Sequence, residues 1–482
     1  MEDVCKKMEK LNVVWILVDS VRNHASVGDD RDKLKAMYNF SHRGVEFGRC
    51  ITSAPSTIMS ISAMMTSLPS YFISRNYDSF KFDNNYFMSL PHILARHGYD
   101  NYAIFRHPEC REKFKDLFNM HPEEKSKEYW SNQHNNIILK KLLNKVDRPF
   151  FLFLDYNCRE DSTISETIEE ALMMFYKKGF NEKNTIFIMC SDHGYPSPEE
   201  ASSDKLRELG HDCILTDNNI FIPMIIKYPG CPFKKVNKTV SSLDIMPTIL
   251  DILKIENKKE MKGMSLLKLI ERNKYKQKKI RVDGRYFFQS ERVTAIVDDE
   301  YKYIRYHGLK DSEFYKINDE KNNLIDEKRY APAISDFATE FHKTENEAID
   351  EHYAYLFQKF KNRFIYAQLS YTNVIIIKTA SISFVNMLEG MATSYLKGNV
   401  SDGGDLIIIP LPNRYAQGLK WKKFKKKNTD IIFVDYNMEF YKKPDSLIWM
   451  VIKYLWLKKF YYLKNPLHFF KDLKIFRRRS NK

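Results

Sequence analysis

Apolar positions along the chain fall into two rhythms. Val13 to Val18, Pro149 to Leu154, Thr185 to Cys190 and Ile220 to Lys227 are short, nearly continuous apolar runs with no polar face. That pattern predicts strands buried on both sides of a sheet. Between them the apolar residues recur at helical spacing. Residues 89–97 predict a helix closed by Gly98 and followed by a short strand, Tyr102 to Phe105, while Ile164 to Lys178 predict a second helix closed by Gly179. A third covers Asp244 to Ile255, and Val293 to Tyr306 reads as a hairpin. Strands alternating with helices predict an α/β protein with a mainly parallel sheet covered by helices on both faces.

Past residue 330 the pattern changes. Residues 331–370 read as a charged, helical linker, with Asp336 to Ser370 its clearest part, and residues 371–482 as a smaller α/β domain. Its predicted strands are 374–378, 405–410 and 430–435, with a helix from Ser383 to Leu396. The spacing of Gly390, Gly398, Gly403 and Gly404 is not that of a dinucleotide-binding loop.

Charge alters the picture mainly at the end of the chain. Of the formal net charge of +15, about +12 lies in residues 421–482. A basic core would suggest a polyanionic substrate, whereas a basic end suggests an anchor or docking surface, and no nucleic-acid partner is expected. Residues 446–482 mix aromatics with lysine and arginine, which suits peripheral contact with anionic lipid. The charged start, Met1 to Lys7, lacks a secretory apolar stretch, and the first apolar run is too short to span a bilayer. The expected location is therefore cytoplasmic, peripheral at the inner membrane face if the tail binds lipid. Seven cysteines without CxxC spacing fit reduced thiols.

Candidate chemistry collects at the ends of the predicted strands. Asp192 and His193, in Ser191-Asp192-His193-Gly194, leave the run 185–190 on a tight turn where both side chains can reach one divalent cation. Asp19 ends the first run and would emerge at the same sheet edge if the two strands are parallel. Ser53 to Ser62 is a hydroxyl-rich loop entering a helix, and a hydroxyl at a helix start is a candidate nucleophile because the helix dipole favours negative charge there. Arg22, His24, Arg106 and His107 lie just beyond strand ends, where solvated surface positions are the ordinary expectation.

In order along the chain, these segments resemble the sulfatase-like branch of the alkaline phosphatase superfamily. Asn12 to Arg22 is similar to its opening strand and first metal ligand, and Ser191-Asp192-His193-Gly194 to its second ligand pair. Further resemblances are Gly210-His211 ahead of Ile222 to Gly230, the helix around Asp244-Ile245-Met246-Pro247-Thr248, Gly263 to Leu267, Tyr301 to Ile304, and Glu313 to Leu324. The resemblance covers roughly residues 10–330 and implies an alkaline-phosphatase-like catalytic domain over 1–330. It implies that Thr57, nine residues before Thr66-Ser67, is the nucleophile, with Ala54-Pro55-Ser56-Thr57 matching members that use threonine. Three positions depart from that pattern: Met59, Ile61, and Ser67 where glycine is usual. A rival register makes Ser53 the residue that true sulfatases oxidise to formylglycine, but Thr57 then stands in place of the expected arginine.

The resemblance further implies one divalent cation held by Asp19, Asp192, His193 and the Thr57 oxygen. These ligands favour Mn²⁺ or Zn²⁺ over Mg²⁺ or Ca²⁺. His211 is expected either to protonate the leaving oxygen or to bind a second metal. The second metal is disfavoured because Asp155, Cys158 and Glu160 stand where relatives carry a histidine-rich ligand motif. The expected activity is hydrolysis or transfer of a small phosphate ester through a phospho-threonine, with a glycan or lipid precursor as candidate substrate. The alternatives are a true sulfatase modified at Ser53 and an inactive, metal-free binding module that kept the fold.

Overall fold

The computed structural model describes residues 10–23, 30–42, 44–73, 88–120, 128–146, 149–159, 162–196, 210–257, 261–276, 278–285, 292–307 and 311–359, plus the backbone of four strands beyond residue 363. Two compact units divide at Glu351 and His352. His24, Glu160, the predicted helix 383–396 and the basic tail 446–482 lie outside the described residues.

The first unit is built on nine strands: β1 (Asn12–Asp19), β2 (Val45–Ile51), β3 (Asp100–Ile104), β4 (Asn119–Met120), β5 (Phe150–Asn157), β6 (Thr185–Cys190), β7 (Phe221–Lys227), β8 (Lys234–Val236) and β9 (Val240–Ser241). They run in the order β4-β3-β5-β1-β6-β7-β2-β8, with β9 also paired to β2. β7 runs against both of its neighbours, and the other pairings are parallel. Successive side chains of a strand point to opposite faces, and here both faces are dry. Val13, Trp15 and Leu17 join one core with Phe151, Phe153 and Ile188. Val14, Ile16 and Val18 join the other with Leu152, Leu154 and Phe187. This explains why the central strands carry unbroken apolar runs rather than alternating ones.

Helices cover both faces as the pattern predicted. Ile164–Lys177 packs Ile168, Ala171 and Phe175 into the second core and ends at Gly179, whose φ of +80° favours a residue without Cβ. Thr57–Thr66 lies against the first core through Ile58, Ile61 and Met65. It ends at Ser67, with φ +54°, the position where the resemblance expects glycine. The left-handed strain there, on the order of 1 kcal/mol, is offset by two hydrogen bonds: Ser67 Oγ donates to Leu243 O (2.8 Å) and accepts from Gly263 N (3.1 Å).

A second, antiparallel sheet, β10 (Ile280–Gly284), β11 (Val293–Val297), β12 (Tyr301–Tyr306) and β13 (Asp311–Lys316), includes the predicted hairpin. One face shares a core with Ile51, Cys213, Leu215, Ile220 and Phe221. On the other, Phe337 and Phe341 of the helix Ala331–Lys359 pack against Ile296, Tyr303 and Phe314. The first half of the expected linker is thus an integral wall of the first unit, because its apolar stripe covers a sheet that would otherwise face water.

The second unit contains β14 (Phe364–Leu369), β15 (Thr372–Lys378), β16 (Leu406–Leu411) and β17 (Phe433–Val434). The strands expected at 374–378 and 405–410 are present, that expected at 430–435 is described only at Phe433–Val434, and 364–369, read as helical linker, is a strand. All described pairings are antiparallel, so this sheet does not have the parallel order that alternating strands and helices would give. Among the described residues no helix is long and apolar enough to cross a membrane, and the six described cysteines form no disulfide with one another.

Candidate active site

Strand register brings the two acidic ligands together. Leu17 pairs with Cys190 across β1 and β6, so two residues further along each strand Asp19 and Asp192 leave the sheet level with one another. Ser20 turns the chain in the left-handed region, φ +65°. Its Oγ donates to Asp19 Oδ1 (2.7 Å) and its amide to Asp192 Oδ1 (3.3 Å). The His193 amide also donates to Asp192 Oδ1, at 2.9 Å. His193 Nδ1 lies 2.7 Å from Gly194 O; a carbonyl can only accept, so Nδ1 carries a proton and Nε2 faces the site, where it offers a lone pair when the ring is neutral.

Around that lone pair stand Asp192 Oδ2 at 3.5 Å, Asp19 Oδ1 at 3.6 Å and Thr57 Oγ1 at 3.3 Å. Ligand atoms of Asp19, Asp192 and His193 all lie within 4.8 Å of one another. Asp192 Oδ2 is buried without a hydrogen-bond partner, although an orphaned buried carboxylate oxygen costs about 1–3 kcal/mol or more. A divalent cation fits this set, since two carboxylates, an imidazole lone pair and a hydroxyl converge where a partner is missing. Burial pushes the Asp192 carboxyl up from its ordinary value. For His193 burial opposes a positive charge, but Asp192 and Asp19 outweigh it and raise its pKa.

Thr57 occupies the first turn of its helix, after Ser56 in extended conformation. Free amides of such a turn favour a bound oxyanion. Ser53 is used differently. Its Oγ accepts from Ser70 N (3.1 Å), its amide donates to Ser242 Oγ (3.2 Å) and its carbonyl accepts from Asp283 N (3.0 Å). These bonds fasten the loop that leads into Thr57.

The remaining candidates divide. The ring of His211 lies 4.9 Å from that of His193, and burial, then the neighbouring His193, lowers its pKa. Asp155 is buried on β5 with its Oδ2 accepting from Arg106 N (3.2 Å) and its Oδ1 unpartnered. Burial, reinforced by Asp19, pushes its carboxyl well up. Arg106 is not a solvated surface residue as its position suggested: it is 4% exposed, with Nη2 3.9 Å from Asp19 Oδ2 and the guanidinium over the Tyr129 ring. A cation is drawn in beside the carboxylates because their buried charge needs one. His107 is half-buried and meets the Tyr129 hydroxyl at 2.7 Å. Arg22 Nε donates to Tyr195 O (2.5 Å).

Sequence reasoning missed the residues that aim the ligands. Asn157 Nδ2 donates to Asp19 Oδ2 (2.8 Å), and Thr52 and Ser60 hydroxyls donate to the Asp192 carbonyl (2.5 and 2.8 Å). Ser191 Oγ accepts from Val21 N (3.0 Å) and donates to His193 O (2.6 Å). Asn157 falls in the stretch flagged beside Asp155; for Thr52 and Ser60 the partner is 140 and 132 positions away, which no local pattern signals.

A mainly parallel α/β sheet with a metal-fitting cluster at its strand ends, capped by an antiparallel sheet, defines a sulfatase-type fold. Residues 11–157 match the sulfatase family model, and residues 212–347 match the model of the C-terminal part of N-sulphoglucosamine sulphohydrolase. These matches, together with the fold, support a place in the sulfatase-like branch of the alkaline phosphatase superfamily. It is 29% identical over 162 residues to an uncharacterized sulfatase of Escherichia coli (strain K12), covering 32% of this chain and 30% of that protein. It is 32% identical over 109 residues to an ulvan-active sulfatase of Formosa agariphila, covering 21% of this chain and 20% of that protein. The chain thus spans less than a third of the length of these relatives. The structure of a phosphonate monoester hydrolase from Silicibacter pomeroyi superposes with a TM-score of 0.56 over 70% of this chain and 96% of that one, at 12% identity, a likeness of fold.

Proposed function

We propose that this chain is a metal-dependent phosphoester hydrolase or phosphotransferase with Thr57 as nucleophile. The observation that carries the reading is the Thr57 hydroxyl 3.3 Å from His193 Nε2, a member of the Asp19, Asp192 and His193 cluster, while Ser53 Oγ accepts from the Ser70 amide. Asp19, Asp192, His193 and the Thr57 oxygen would hold one divalent cation, with Mn²⁺ or Zn²⁺ suiting the donor set. When bound, the cation supplies charge neutralisation and a lowered hydroxyl pKa. Thr57 Oγ, its proton given up to solvent, attacks phosphorus; the bond from phosphorus to the ester oxygen breaks, that oxygen leaves with a proton from His211 in its protonated form, and a phospho-threonine remains. Water or an acceptor alcohol then attacks phosphorus, Thr57 Oγ leaves, and the attacking oxygen returns its proton to His211.

A sulfate ester is the second reading, favoured by the sulfatase relatives. The panel that separates the two is p-nitrophenyl phosphate, phosphodiester, phosphonate and sulfate, assayed with Mn²⁺ on wild type and Thr57→Ala, together with the intact mass at Ser53 and Thr57. Phosphate or phosphonate turnover that disappears in Thr57→Ala, with unmodified side chains, is expected. Sulfate-only turnover, an oxidised Ser53, or activity surviving the substitution would sink the leading reading. Absence of stoichiometric metal would favour the inactive module instead. We further place the enzyme in the cytoplasm with residues 446–482 on anionic lipid, testable by co-sedimentation of the full chain with anionic and neutral vesicles, and with a glycan or lipid precursor as substrate.

A further inference from the structure

Lys302 takes no part in that chemistry, yet it is fully buried on β12. Its Nζ lies between Asp217 Oδ1, at 2.7 Å, and Glu320. A lysine buried between carboxylates adds little stability over a well-packed apolar group, so its use lies in what it holds. Asp217 is fixed from three directions, because its Oδ2 also accepts from Asn318 N (2.7 Å) and its amide donates to Glu320 Oε1 (3.0 Å). Asp217 opens the single helical turn Asp217–Ile220.

That turn is the template for both histidines of the site. Asn219 O and Asn218 O accept from the amides of Gly194 (2.8 Å) and Tyr195 (3.0 Å), directly after His193. Asn219 Nδ2 donates to His211 O (2.8 Å) and Ile214 O (2.6 Å). The docking has no slack: a Cβ on Gly194 would stand 1.9 Å from Asn218 O.

We propose that Lys302 is a positioning residue, which by pinning Asp217 fixes the turn 217–220 and so aligns the 191–194 turn and His211 with one another. The consequence for cation binding rests on the function proposed above; the backbone alignment does not. Residues that orient metal ligands from behind are worth 10–100-fold in affinity or activity.

The test uses the full chain carrying Lys302→Met, which keeps length and loses charge, with Arg292→Met as a comparator from the same sheet. Hydrogen exchange at the Gly194 and Tyr195 amides is expected to rise about tenfold in Lys302→Met and not in the comparator. The Mn²⁺ dissociation constant, by calorimetry, rises about 10–100-fold, and kcat falls more than KM changes. Unchanged protection at 190–196 in a folded variant, or a loss spread evenly over all core strands in step with the fall in Tm, would overturn the proposal. Should Lys302→Met not fold, Asp217→Asn keeps the side-chain shape and carries the same test with an effect of about fivefold. If wild type binds no Mn²⁺, the cation reading fails while the exchange result still decides this one.

Discussion

Two buried ionic groups in the first unit are built on opposite terms. At the ends of β1 and β6 and on β5 beside them, Asp19, Asp192 and Asp155 gather with the Arg106 guanidinium nearby, and Oδ1 of Asp155 and Oδ2 of Asp192 have no hydrogen-bond partner among the described residues. On β10 and β11, Arg281 grips Asp283 through Nε and Nη2 at 2.8–3.0 Å and reaches Glu345 at 2.9 Å, while Arg292 binds Glu345 at 2.6 and 3.1 Å. Arg292 also meets His307 Nδ1 (3.0 Å). A guanidinium can only donate, so His307 is neutral with its proton on Nε2. That proton goes to Thr294 Oγ1 (3.1 Å), which donates in turn to Asp283 (3.0 Å). The second group is closed and satisfied, whereas the first converges its carboxylates and an imidazole on one point that a divalent cation fits. Uncompensated buried charge marks where a fold accepts a loss of stability for function.

The comparison can be broken most sharply at Asp192. Asp192→Asn is expected to lower turnover at least about 10³-fold while leaving the metal-free protein as stable as wild type or more so, measured by chemical denaturation; a large destabilisation would mean the cup is structural. Glu345→Ala is the mirror case. It takes the carboxylate from Arg292 and one of two from Arg281, and is expected to cost about 3 kcal/mol, with kcat/KM per folded molecule within about twofold of wild type.

Metal itself supplies the next contrast. Mn²⁺ at a hundred times its dissociation constant is expected to stabilise wild type by about 2.7 kcal/mol, seen as a rise in Tm reversed by chelation, and to do nothing for Asp192→Asn. The smallest effect belongs to pH. Burial, helped by Arg292, pushes the His307 pKa down to about 3. Its folded value lies below the unfolded one near 6.5, so the unfolded chain binds the proton more readily in between. The contribution is therefore full above pH 6.5 and lost as pH falls toward 3, on the order of 1–2 kcal/mol after allowing for partial exposure. His307→Gln should flatten the stability profile in that window, and an unchanged profile would refute the assignment.

Much of this was legible along the chain. Short runs that are apolar at every position read as strands with two dry faces, and a carboxylate after such a run emerges at the sheet edge when the strands are parallel; Asp19, Asp192 and His193 were picked out as candidates that way. Thr57 was named as candidate nucleophile by the family resemblance, through its spacing to Thr66-Ser67 and the match of Ala54-Pro55-Ser56-Thr57. Arg106 was misread, because adjacency to a strand end says nothing about which buried charges lie across the sheet. The segment 364–369 was misread because charged neighbours hid a short strand.

The sequence by itself determined the central strands and their main helices, the chemistry offered at the strand ends and, through its motifs, a family resemblance, because periodicity and residue type are local properties. Only the tertiary structure decided that Asp19 and Asp192 stand level, that the Ser53 hydroxyl is engaged while that of Thr57 faces His193, and that Lys302 on a second sheet holds the turn behind two histidines. These depend on pairings between residues up to 172 positions apart, set by register and packing, which no window along the chain contains.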